Sequence, residues 1–284
     1  MNPVYIVATG TFLPNEPISN DEMESVLGQI SGKPSRGRAI VLRNNGIKSR
    51  YYALNTEKEI THTNAELVVE ALKNASNNNS VPKNIDILSC GTSAADQSLP
   101  SHTAMVHGLL DEEMEIASPS GACCAGVHAM KYGYMAIASG MANRAIAAGS
   151  ELISPMMMAR NFEAESKPQT DLEKNPYIAF EKDFLRWMLS DGAGCLVMDN
   201  QPSGDLNLKI DWIESRSYAN RVETCMYSAS DVTKDGELKS WKQFSQEEWL
   251  TKSVFAMKQD TKLLRENIVK LGGEFLAEIC KRRE

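Results

Sequence analysis

Residues 118–128 read Ser-Pro-Ser-Gly-Ala-Cys-Cys-Ala-Gly-Val-His. A turn of small residues delivers two adjacent cysteines, Cys123 and Cys124, to the head of a helical stretch over 125–138. Unpaired N–H groups and the helix dipole favour an anion at such a place. A thiol there is drawn toward thiolate and becomes a nucleophile. The competing reading is two small buried core residues, since free cysteine is among the most buried residue types. The flanking sequence has to decide between the two.

Working outward, buried strands stand on either side. Ile85-Asp-Ile-Leu-Ser-Cys-Gly91 precedes the turn and Arg144-Ala-Ile-Ala-Ala-Gly149 follows the helix. Val4 to Ala8 is a third apolar run, closed by Thr9-Gly10, and Gly192 to Met198 a fourth, entered through Ser190-Asp191. Leu206 to Ile213 alternates, as a half-buried strand does. Helical spacing marks 63–77 (Ala65, Val68, Val69, Leu72), and Ser101 opens a helix carrying His102 and His107. Single histidines on helices are mostly surface or core residues. Residues 219–248 are polar and loop-like. Leu250 to Leu271 reads as a long amphipathic helix that Gly272-Gly273 stops, with a short final helix after it. Strands alternating with helices predict an α/β fold with a largely parallel core sheet. Nucleophiles in such sheets favour strand-to-helix turns at the carboxyl ends of strands.

Composition narrows the function classes. A chain of 284 residues, 42% hydrophobic and 24% charged, is an ordinary globular protein with room for two domains or one large α/β unit. A net charge of −7 argues against nucleic acid as the main partner. Six cysteines with no CxxC pair make a metal site unexpected and point to a reducing cytoplasm. The N-terminus lacks a basic region before its apolar run and reads as a strand, and no run is long enough to span a membrane. Against the acidic balance, residues 31–50 carry Lys33, Arg36, Arg38, Arg43, Lys48 and Arg50 and no acidic residue. This stretch is either a docking patch for an acidic or phosphate-bearing partner, or a solvated loop. Residues 155–187, with Met156-Met157-Met158 and several aromatics, look like an excursion whose methionines line an apolar channel or simply fill core.

Several motifs then fall together in order between residue 4 and about 198. They are Ala8-Thr-Gly-Thr-Phe-Leu-Pro14, Arg43-Asn-Asn-Gly-Ile-Lys-Ser-Arg50, Leu99-Pro-Ser101, Ala122-Cys-Cys-Ala-Gly126, Ala148-Gly-Ser-Glu151 and Ser190-Asp-Gly-Ala-Gly194. With them the chain resembles β-ketoacyl-ACP synthase III and its relatives in the thiolase superfamily. The resemblance implies a thiolase-like layered α-β-α fold, with a complete N-terminal half over 1–200 and the start of a C-terminally truncated second half over 201–284. It places the nucleophile at Cys124, directly before Ala-Gly, with Cys123 where a small residue is usual. It implies a ping-pong reaction: Cys124 takes an acyl group from a thioester. Malonyl-ACP then loses CO₂ and its carbanion attacks the acyl group, with the Cys124 N–H as an oxyanion donor. Substrates would be acyl-CoA or acyl-ACP with malonyl-ACP, with no cofactor permanently bound. Partners would be acyl carrier protein and a second copy in a cytoplasmic homodimer.

Arg43 matches the family's coenzyme A contact. The aromatic expected beside it is Ala39, which shifts the expected donor toward a carrier-protein-bound starter and suits a basic patch at 31–50. Leu99 falls at the family's gate beside the acyl pocket and, with the 155–187 excursion, hints at a starter other than acetyl, as in polyene or alkylresorcinol lipid synthesis. The four histidines, His62, His102, His107 and His128, all precede residue 130. The family's catalytic His and Asn and its second oxyanion segment have no counterpart, so this chain is expected to be inactive in condensation. Two other readings stand beside this one: acyl transfer to an alcohol or amine from the same cysteine, and a non-catalytic partner subunit that binds acyl carrier protein.

Overall fold

The computed structural model describes residues 1–35, 37–76, 79–166, 184–203, 205–233 and 235–283. The chain forms two compact units. One is built from Met1–Glu22, Lys48–Pro155 and Ser190–Glu214, the other from Met23–Ile47, Met156–Leu189 and Ser215–Glu284.

The first unit is organised by a six-stranded sheet. Its strands are β1 (Tyr5–Phe12), β2 (Ile87–Gly91), β3 (Glu115–Ala117), β4 (Arg144–Glu151), β5 (Gly192–Asp199) and β6 (Leu208–Lys209), in the spatial order β3-β2-β4-β5-β1-β6. Side chains alternate between two cores. On β4, Ile146 and Ala148 join one cluster while Ala145 and Ala147 join the other. On β5, Cys195 and Val197 face the first and Met198 the second. One face is covered by α1 (Asn64–Lys73), with α2 (His102–His107) contributing Val106; the other by α3 (Ala125–Ser139), contributing Ala129, Ala136 and Ile137. The layered α-β-α arrangement expected from the sequence is therefore present.

The sheet is mixed rather than largely parallel. β3, β2 and β4 run parallel, whereas β4–β5, β5–β1 and β1–β6 are antiparallel. A strand covered on both faces reads as a continuous apolar run whichever way it points, so the periodicity of β5 carried no direction. The expected strand over 206–213 is reduced to Leu208–Lys209, both exposed, with Ile210 packed against the second cluster.

The second unit has no comparable sheet among its described residues. Arg186 stacks between the rings of Phe162 and Trp187 and donates to the carbonyls of Met157 and Gly28, which explains how a guanidinium can be 2% exposed. The polar stretch 219–248 is more structured than a loop: Ser230–Val232 pairs with Leu238–Ser240, and Ser245 caps a helix over Gln246–Thr251 with a capping box to Glu248. The helix expected over 250–271 begins later and runs further, as α4 (Thr261–Arg283). Residues 252–260 instead bury Val254 and Ala256 and pair Lys258–Gln259 with Met226–Tyr227. Asp260 starts the helix, its Oδ1 accepting from the N–H groups of Lys262 and Leu263. Gly272 and Gly273 do not stop it. Glycine weakens a helix interior by about 1 kcal/mol without breaking the hydrogen-bond ladder as proline does.

Candidate active site

The cysteine turn lies at the carboxyl ends of the parallel strands. Residues 120–124 are all exposed, and Ala125, the first residue of α3, is buried. The turn is tied to the neighbouring strand end by a parallel bridge between Thr92 and Ser120. A second tie runs through Ser118, whose Oγ donates to Ser101 Oγ at 3.0 Å and accepts from the Thr103 N–H at 3.0 Å. Cys124 is the N-cap of α3, with φ −89° and ψ −2°, and its side chain makes no capping bond. These dihedrals fall in the bridge region, where many active-site residues sit. Cys123 and Cys124 are both exposed, so the core-thiol reading fails for this pair. It holds for Cys90 and Cys195, which are buried and whose thiols burial pushes up to about 12 and about 11.

Close packing fixes where α3 begins. A Cβ on Gly91, the last residue of β2, would stand 2.2 Å from the Ala125 carbonyl oxygen and 2.8 Å from the Gly126 nitrogen. On the β4 side a Cβ on Gly149 would approach the Gly126 Cα to 3.3 Å. Only glycines let the first turn of the helix sit this near both strand ends.

At the end of β4 lies a polar group that sequence reasoning passed over. His102, 4% exposed, shares a 3.0 Å hydrogen bond between Nε2 and Ser150 Oγ, while its buried Nδ1 has no partner among the described residues. Burial holds this imidazole below its ordinary range, with the charge of Asp96 opposing. Glu151 accepts from the Ser93 N–H and Oγ, at 2.6 and 2.5 Å, and from the Ala94 N–H at 3.2 Å. Its carboxyl is raised, burial outweighing those bonds. Ser150 and Glu151 end a strand whose motif was legible; the placement of His102 against them was not, because 48 residues separate it from Ser150.

Asp191 also turns out to matter more than its motif suggested. It is 2% exposed and accepts from the N–H groups of Ala53, Ile153 and Ser154 and from Ser154 Oγ, at 2.5–2.9 Å. Burial raises its carboxyl and these four bonds oppose the rise. It stitches three segments distant in sequence at the entry to β5.

Two other expected site residues are exposed, each within its own unit. Leu99 is 84% exposed, on the loop whose next residues, Pro100 and Ser101, lead to the Ser118 contact. Arg43 is exposed on the short helix Arg38–Asn45 of the second unit. The basic stretch around it is only partly exposed. Arg50 is buried and donates to Asn20 Oδ1, Arg38 pairs with Glu24 at 3.2 Å, and Arg36 lies outside the described residues. Lys33, Arg43 and Lys48 remain exposed. Of the 155–187 excursion, 167–183 lies outside the described residues; Met157 and Met158 are buried, as core filling requires. A cavity of about 60 Å³ sits at the amino ends of β2 and β4, lined by Ile85 and Ile146 among others, away from the turn. Among the described residues no group of acidic, His and Cys side chains could hold a metal, and no helix is long and apolar enough to cross a membrane.

The geometry is that of a thiol presented by a layered α/β fold at a strand–turn–helix junction. No protein-family model matches the chain. A curated β-ketoacyl-[acyl-carrier-protein] synthase III from Ruegeria sp. is 31% identical over 153 residues, 54% of this chain and 44% of that protein. The chain thus spans about half the length of the curated relatives it matches. Among solved structures, AbyA1, a tetronic acid condensing enzyme, superposes with a TM-score of 0.69 over 98% of this chain and 74% of its own, at 19% identity. The 3-oxoacyl-(acyl carrier protein) synthase III of Pseudomonas aeruginosa follows with 0.56 over 84% and 63%, at 16% identity. The resemblance read from the motifs is real, and the fold is that of the thiolase-like condensing enzymes.

Proposed function

We propose that this chain carries the acyl-accepting half of a β-ketoacyl-ACP synthase III-like condensing enzyme, with Cys124 as the nucleophile. The observation that carries this reading is an exposed cysteine at the N-cap of α3, held by glycine contacts at the carboxyl ends of two parallel strands, in a chain related to synthases of this class. The Cys124 sulfur adds to the thioester carbonyl, the developing oxyanion is met by N–H groups at the head of α3, and the carrier thiol leaves. The donor is acyl-CoA or acyl-ACP, and the extender malonyl-ACP. Arg43 is assigned to donor binding and Leu99 to the acyl pocket, and a second copy completes a homodimer. Residues 1–200 form the nucleophile-bearing half and 201–284 the start of the second.

Incubation with acetyl- to long-chain acyl-CoA and acyl-ACP, followed by intact-mass measurement, tests the proposal. One acyl group is expected per chain, absent in Cys124→Ala. An adduct that survives Cys124→Ala would overturn the assignment. Release as a 3-oxoacyl thioester with CO₂ identifies condensation; an ester or amide identifies the alternative acyl transfer.

A further inference from the structure

The acyl-transfer reading uses one cysteine of the pair and leaves its neighbour without a task. Cys123 and Cys124 are contiguous and both exposed, whereas the other two cysteines of the unit, Cys90 and Cys195, are buried and held protonated by that burial. The turn that carries the pair also has room to change shape. Ser120 to Cys124 are all exposed, and Gly121, at φ +143°, has nothing within 4 Å of where its Cβ would be. The carbonyl of Cys124 is already engaged by the His128 N–H at 2.9 Å, so any adjustment falls on the turn and leaves the helix in place.

We propose that Cys123 is a resolving cysteine, and that Cys123 and Cys124 are a peroxide modification site that closes reversibly to a vicinal disulfide. The inference needs the thiol reactivity of the site and not its acyl chemistry. The Cys124 thiolate attacks hydrogen peroxide: an S–O bond forms, the O–O bond breaks and hydroxide leaves, the sulfur being oxidised and the peroxide reduced. The Cys123 sulfur then attacks the sulfenic sulfur. The S–S bond forms, the S–O bond breaks, and the departing hydroxyl leaves as water with the Cys123 proton. Two thiols and one peroxide thus give one disulfide and two waters.

The alternative fate of the sulfenic acid is further oxidation to sulfinic acid, which is irreversible for an ordinary protein. Adjacent Cα atoms are about 3.8 Å apart across a trans peptide, below the roughly 4.4–6.8 Å that disulfides usually span. The ring is therefore strained, and strained, exposed disulfides are the readily reduced ones. The closed form protects the site sulfur and blocks it; a small dithiol reopens it.

The test treats the chain and its Cys123→Ser variant with hydrogen peroxide, then dithiothreitol, following each by intact mass and peptide mapping. The chain is expected to become about 2 Da lighter, with a Cys123–Cys124 crosslink, and to recover fully on reduction. Cys123→Ser is expected to gain oxygen atoms on Cys124 that dithiothreitol does not remove. Oxygen gained on Cys124 of the unaltered chain without a crosslink overturns the proposal, as does a mass loss that maps to other cysteines. Thermal melts establish that Cys123→Ser is folded. Acyl loading is read separately on the reduced chain: loading without crosslinking sinks only this inference, and crosslinking without loading sinks only the acyl-transfer reading.

Discussion

Helix α1 in the first unit buries seven of its ten residues, and helix α4 in the second buries Ile279 alone of twenty-three. The two helices are held by different physics. α1 is pinned by packing, through Leu67, Val68, Ala71 and Leu72 in the core under β1 and β5. α4 leaves Ile268, Val269 and Leu276 more than half exposed and rests mainly on capping and charge pairs. These are the Asp260 cap, the Lys262–Glu266 pair one turn apart, the Arg216–Glu278 ion pair, and Lys281, Arg282 and Arg283 against the negative end of the dipole. Substitutions should therefore do most damage where backbone and buried polar groups interlock in the first unit, and least, or even good, in α4.

The sharpest way to break the first unit is Asp191→Ala. It strips three buried N–H groups and one hydroxyl of their acceptor. Each orphaned donor costs about 1–3 kcal/mol, so a loss of roughly 4 kcal/mol is expected in denaturant titration. Gly91→Ala comes next. Its methyl would meet backbone of Ala125 and Gly126, not a yielding side chain, so β2 or the head of α3 must move. A loss of about 3 kcal/mol is expected. Thiol labelling of Cys124 should change with it, since the displaced element is the one that presents the cysteine. Unchanged labelling in a folded Gly91→Ala protein would show that the glycine contacts do not set the site.

Both positions bear on what could be read from the chain alone. The cysteine turn, its helix, the start of α1 near Thr63 and the four long strands were legible because each is written in contiguous residues. The direction of β5 was not, since apolar runs carry none. The span of α4 was missed for a different reason: its start depends on one capping carboxylate, and its two glycines look like a stop but are tolerated. The cysteine pair was legible in its contiguous motif, with the choice of Cys124 resting on the resemblance, whereas His102 and Asp191 are held by partners far away in sequence. Arg43 and Leu99 rested on resemblance alone, and no contact of either with the cysteine turn follows from the fold of each unit.

His102 gives a smaller, pH-dependent effect. Burial keeps its imidazole neutral in the folded state, while the unfolded chain takes up a proton near pH 6.5. The unfolded state thus binds more protons in this window, and stability falls as pH drops below about 6.5 until the lowered folded value is passed. Glu151 and Asp191, both raised by burial, act in the opposite sense above their unfolded values and are common to any comparison at this position. His102→Gln can keep a bond to Ser150 and cannot charge. Between pH 7.5 and 5.5 the unaltered chain should lose a few degrees more in melting temperature than His102→Gln. Parallel curves would mean that the imidazole is not held neutral.

The smallest effect has the opposite sign and tests the other side of the comparison. Gly272 and Gly273 sit inside α4 with nothing within 4 Å of where a Cβ would stand, so alanine meets no obstacle there. Replacing either residue removes backbone freedom from the unfolded chain and should stabilise the protein by about 0.5–1 kcal/mol. The gain should add in the double variant only in part, as neighbouring residues share the same turns. Hydrogen exchange localises it: slowing is expected in the amides of α4 and not in those of β2, β4 or α1, whose protection comes from burial. If instead the double variant loses stability, α4 does not stand mainly on capping and charge pairs. Its glycines would then be where another surface comes close, as Gly91 and Gly149 are where α3 does.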